Sequence, residues 1–74
     1  MKLTKNDYIV IRKKLIEKDL KTTQVSLKVG YLYKKGLGDV LCLAKKGKGT
    51  ISLEKALKLE EELGIKLEGT ANGN

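Results

Sequence analysis

Apolar residues recur at helical spacing in four stretches of the chain, each bounded by a capping residue or a glycine. In the first, Tyr8, Ile11, Leu15 and Ile16 share one side while Lys13, Lys14, Glu17 and Lys18 lie outside it, with Ile9 and Val10 widening the apolar face. Thr4-Lys5-Asn6-Asp7 has the form of a capping box, which predicts an amphipathic helix running to about Lys18. Thr22 or Thr23 caps a second helix to about Val29, with Leu20, Val25 and Val29 on one side and Gln24 and Lys28 elsewhere. Gly30 ends it, because glycine tolerates the left-handed conformation of a helix terminus.

Gly36 and Gly38 resist helix, each by about 1 kcal/mol relative to alanine. The third helix is therefore expected to start at Gly38 or Asp39, with Asp39 as its cap, and to end at Lys45 or Lys46. Val40 to Ala44 are all apolar, and a helix apolar on most sides is buried on most sides. Tyr31 to Leu37 is then a basic loop or an extra turn, and Tyr31-Leu32-Tyr33 also fits a short hairpin strand. Ser52 caps a fourth helix, Leu53 to about Leu63. Leu53, Ala56, Leu57, Glu60 and Leu63 mark one side of it, so Leu59 packs at the periphery. Glu60-Glu61-Glu62 reads as a solvated face, and Gly64 closes the helix. Ile65 and Leu67 alternate with Lys66 as a short extended tail that docks on the core or pairs with another subunit. The polar end, residues 68–74, is expected to be disordered.

These patterns describe one all-α domain over residues 1–67. At 74 residues such a chain buries only about 60% of its unfolded surface, leaving no room for a large cavity framed by loops. Phe, Trp and Pro are absent, so the core is aliphatic. The absence of histidine removes the commonest general base and metal ligand, and a lone cysteine forms no internal disulfide. Cys42, in an apolar helix, reads as a small buried hydrophobe. No catalytic constellation, metal set or cofactor motif emerges. Gly47-Lys48-Gly49 is no phosphate-binding loop of the Walker type, since neither a Ser or Thr nor a preceding strand accompanies it. The longest apolar run, Val40 to Ala44, is too short to cross a bilayer, which points to a cytoplasmic protein with no membrane role.

Charge changes the picture more. The net charge is +7, and it is unevenly spread. Residues 1–27 carry +4, residues 28–50 carry +5 from six lysines and Asp39, and residues 51–74 carry −2. A lysine cluster centred on a helix pair is the footprint of a polyanion binder.

Leu20, Val25, Ser26, Val29 and Gly30 stand at the offsets of the Leu, Leu, Ala, Leu and Gly of the second helix of Cro/C1-type (XRE) helix-turn-helix proteins. Leu41, Ala44 and Gly47 match the end of that family's recognition helix. Ile51-Ser52-Leu53-Glu54, with Ala56-Leu57, Leu59, Leu63 and Gly64-Ile65, is similar to the helix that follows. The resemblance covers roughly residues 9–67. It departs in three places: Gly30 and Gly47 enclose sixteen residues, more than the family's usual spacing, Thr22 stands where the family often has a DNA-contacting Gln, and the polar, base-reading face of the recognition helix is replaced by the apolar run Val40 to Ala44.

The resemblance implies a small lambda-repressor-like four-helix domain of a phage-type transcriptional regulator, binding operator DNA in a lysis/lysogeny switch within the host cell. The implied contacts to double-stranded DNA or another partner are Thr22, Thr23 and Gln24, then Tyr33, Lys34, Lys35 and Asp39, then Lys45, Lys46 and Lys48. Lys5, Arg12 and Lys13 are further candidates for phosphate. In size, lysine content and helix pattern the chain also resembles the antirepressors (modulators of repression) of temperate phages in Gram-positive hosts. In that reading Leu32, Leu37 and Leu43 fill a groove of a phage repressor protein and block its DNA binding. Ile65 and Leu67 offer a homodimer interface.

Overall fold

The computed structural model describes residues 1–71. The capping box at Thr4 forms as its residues dictate. The Asp7 amide donates to the Thr4 hydroxyl (3.0 Å), and the Thr4 amide donates to the Asp7 carboxylate (3.1 Å). From it runs α1, Lys5–Glu17, followed by α2, Thr22–Lys28, and α3, Gly36–Lys45. Ser52 caps α4, Leu53–Leu63, which stops at a left-handed Gly64, and a single turn, α5, covers Glu68–Ala71.

The chain is mostly helical, and it is not purely so. Lys2–Leu3 (β1) pairs antiparallel with Gly49–Thr50 (β2), with Lys2 opposite Thr50. The Met1 ammonium extends this pairing by donating to the Ile51 carbonyl at 2.7 Å. Two-residue strands carry no alternation to detect, so periodicity misses them. Gly49 is needed there. A Cβ would stand 2.8–2.9 Å from the Val40 carbonyl and Ala44, so only glycine lets β2 lie against α3. The lysine-bearing residues 46–48 between α3 and β2 are also tied down, by the Lys48 amide donating to the Leu43 carbonyl at 2.8 Å.

Leu3, Ile11, Leu15, Val25, Val29, Leu37, Leu41, Ala44, Ile51, Ala56, Leu59, Leu63 and Leu67 form one aliphatic core. Several sequence expectations are corrected. Leu59 sits at the centre of the α4 contact rather than its periphery, whereas Leu53 and Leu57 are about half exposed. The buried stripe of α4 is therefore rotated from the one expected. Ile16 lies outside the core, 73% exposed. Leu67 is fully buried and not free to pair with a second subunit, and Ile65 only half-buried beside it. Part of the segment expected to be disordered is the helix α5. Residues 72–74 of that expectation lie outside the described residues. No helix among the described residues is long and apolar enough to cross a membrane.

Glu60 gives a further correction, because it is buried rather than solvated. Its carboxylate accepts from the Leu67 amide (2.7 Å) and from the Thr70 hydroxyl. Asp7, also buried, accepts from the Glu68 amide at 2.8 Å. Two acids thus hold the C-terminal segment against α1 and α4. Burial pushes the Glu60 carboxyl up, but the Thr70 and Leu67 hydrogen bonds and the Lys66 charge outweigh it and hold it below the usual range. A carboxyl whose folded value is depressed stabilises the fold above its unfolded value and loses that contribution as pH falls. Stability should therefore decline as pH drops below about 4.3. In Glu60→Gln that part of the decline should be missing, as chemical denaturation across the acid range would reveal.

Candidate functional site

The helix pair at the centre of the lysine-rich region is joined by a hydroxyl group. Ser26, fully buried near the end of α2, accepts from the Leu37 amide (3.0 Å) and donates to the Tyr33 carbonyl (3.1 Å). Leu37 is the second residue of α3, where the amide has no partner inside its own helix. The residue preceding α3, Lys35, makes no side-chain cap. Ser26 therefore supplies from α2 the capping bond expected of Asp39, and α3 starts at Gly36, not at Gly38 or Asp39. Gly36 fits because a Cβ there would collide with the Tyr31 ring. The Tyr31 amide in turn donates to the Ser26 carbonyl at 3.1 Å. The intervening residues form bends and turns, not a hairpin strand. Lys55 lies over the Tyr31 ring at 5.3 Å. Burial, and then the neighbouring Tyr33, raise the Tyr31 phenol above its ordinary value.

At α2 the residue before the helix is Lys21, so neither Thr22 nor Thr23 is the cap; the Lys21 amide instead donates to the Gln24 side chain at 3.4 Å. Thr23 and Gln24 are exposed and Thr22 half-buried. Lys34, Lys35, Lys45, Lys46 and Lys48 are all exposed. Lys5 joins the last three, its aliphatic stem passing close to Gly47.

The outward face of α3 is legible from helical geometry and burial together. Asp39, Cys42 and Leu43, with Lys46 just past the helix end, recur at spacings of three and four and are all exposed, as is Lys45 in the last turn. Leu37, Leu41 and Ala44 occupy the opposite face and enter the core. Two expectations are thereby corrected. Leu37 is no interface residue, because it is fully buried. Cys42 is an exposed thiol, not a buried hydrophobe. The apolar run Val40 to Ala44 suggested burial all round, but a ten-residue helix with one flank on β2 leaves its far side uncovered. Leu43 is 46% exposed, and Leu32 and Tyr33, leading into α3, are 95% and 61% exposed.

No family model, curated protein or solved structure matches the chain. The surface itself must indicate the function. Among the described residues no group of three His, Cys, Asp or Glu side chains is gathered for a metal ion.

One further feature escaped the sequence pattern. Tyr8 and Arg12 of α1, Thr22 of α2, and Gly38, Leu41, Cys42 and Lys45 of α3 line a cleft of about 290 Å³. Only contact between three helices brings them together.

Ser26→Ala removes one acceptor and one donor from a buried position and leaves the Leu37 amide unpaired. It should cost about 1–3 kcal/mol, measured by urea denaturation, and more than Asp39→Ala, which removes no cap.

Proposed function

We propose that this chain is a small regulatory module of the helix-turn-helix class, with α2 and α3 as its paired helices. It works by docking that pair on a protein, a phage-type repressor whose DNA binding it blocks. The observation that carries this reading is the make-up of the exposed face of α3. A helix that reads bases presents Arg, Lys, Asn, Gln, Asp, Glu, Ser or Thr to their edges. Here the middle of the exposed face offers Cys42 and Leu43, with Asp39 in the first turn and Lys45 and Lys46 at the helix end. Asp39 would meet the negative field of the DNA backbone, and the thiol and the leucine at the centre of the face carry no base-reading pattern. Exposed Leu43, with Leu32 and Tyr33 ahead of the helix, instead suits the apolar anchors on which protein interfaces depend, and the surrounding lysines suit a polar rim. The identity of the partner as a repressor rests on the resemblance to temperate-phage regulators.

Operator DNA is the second reading, and the exposed Lys34, Lys35, Lys45, Lys46 and Lys48 favour it. Lysines supply affinity that is independent of sequence and steeply sensitive to salt. The two readings part in one experiment. Anisotropy titrations of the full chain use a labelled Cro/C1-type repressor DNA-binding domain and, separately, labelled duplex DNA at low and high salt. Tight binding to the repressor that Leu43→Asp weakens by roughly tenfold or more is expected. Duplex binding should be weak, fade with salt and fall further in Lys34→Ala/Lys35→Ala. Tight, sequence-selective duplex binding unaffected by Leu43→Asp would overturn the protein-partner reading.

A further inference from the structure

We infer that the cleft between α1, the start of α2 and α3 is a carboxylate seat, which receives a glutamate side chain of the protein partner. This rests on the protein-partner reading above. The two charged side chains lining the cleft, Arg12 and Lys45, are both cations, and no carboxylate lines it. The ion pairs among the described residues join Lys14 to Glu17 and Lys58 to Glu54, so neither cleft cation is neutralised within them. The hydroxyl-bearing Tyr8 and Thr22 complete the rim.

Gly38 gives an independent argument. Glycine is among the poorest helix formers, yet it occupies the first turn of α3. Its φ is not positive, and a Cβ would meet nothing nearer than the Thr22 methyl at 3.9 Å, an ordinary contact. Gly36 is different, since the Tyr31 ring excludes any side chain there. Neither packing nor backbone geometry requires glycine at 38. What its missing side chain leaves open is the cleft.

The occupant follows from the walls. A guanidinium fork takes both oxygens of a carboxylate, and an ammonium adds a point charge. Leu41 and the Tyr8 ring supply apolar wall for the methylenes of a glutamate. A duplex phosphate has no apolar stem to fill such a wall and is met by side chains reaching outward from the protein.

The test needs no partner protein. The ¹⁵N-labelled full chain is titrated with the capped tripeptide Ala-Glu-Ala, its Ala-Gln-Ala counterpart and inorganic phosphate, at constant ionic strength. The glutamate peptide should shift the Gly38, Cys42 and Lys45 amides saturably, with the glutamine peptide and phosphate inert at the same concentration. Arg12→Gln should weaken the response roughly tenfold; Arg12 is exposed, so the fold survives. Gly38→Val, no worse a helix former than glycine, should abolish it by filling the cleft. Equal shifts with the glutamine peptide, a response retained in both variants, or a stronger response to phosphate would each overturn the seat. A failed repressor titration with an intact peptide response overturns the partner and not the seat.

Discussion

The α2–α3 half of this protein depends on one buried hydroxyl. A serine that both donates and accepts can satisfy two backbone groups from neighbouring elements, and a buried backbone group left without a partner is costly. Ser26 meets Leu37 at the start of α3 and Tyr33 in the connection. The connection between the two helices is the seven residues 29–35, without regular structure of their own. Without a tether, such a linkage would leave the beginning of α3 free to fray. With it, Leu37 enters the core at the first turn, and the rotation of α3 is fixed for Leu41 and Ala44 behind and for Leu43 and Cys42 in front.

The remainder of the chain is a brace for that arrangement. β2 lies against α3 because Gly49 has no side chain, and β1 ties the N-terminal residues to it. At the other end Asp7 and Glu60 turn two buried negative charges into acceptors for the amides of Glu68 and Leu67. Buried acids are tolerated when they are hydrogen-bonded; Asp7 joins the two ends of the chain, and Glu60 holds the turn that follows α4. A small aliphatic core gains order from such polar ties at modest cost in apolar area.

Much of this was legible in the residues. Thr4, Ser52, Gly30 and Gly64 punctuate the helices where local chemistry requires, and the period of Ile11 and Leu15 fixed the buried stripe of α1. What sequence periodicity misses is set by tertiary contact. The strands are too short to alternate. The start of α3 is decided by a hydroxyl on another helix, not by Asp39. The rotation of α4 exchanges Leu59 for Leu53 and Leu57, because all three are equally apolar and only the neighbours choose among them. Of the candidate site residues, Lys34, Lys35, Lys45, Lys46, Lys48 and Leu43 are exposed. Leu37 and Leu67 turn inward, since a leucine at a helix start or a chain end fills a core as readily as an interface. The cleft of Arg12, Thr22 and Lys45 joins residues that no local pattern links.

The amide hydrogen exchange of Leu37 in the native chain tests the role of Ser26 most directly. A backbone donor held by a buried acceptor opens only with the larger unit around it, so this amide should exchange about as slowly as those in the centre of α4. Exchange at the rate of the exposed residues just before α3 would show that no such bond holds the two helices together.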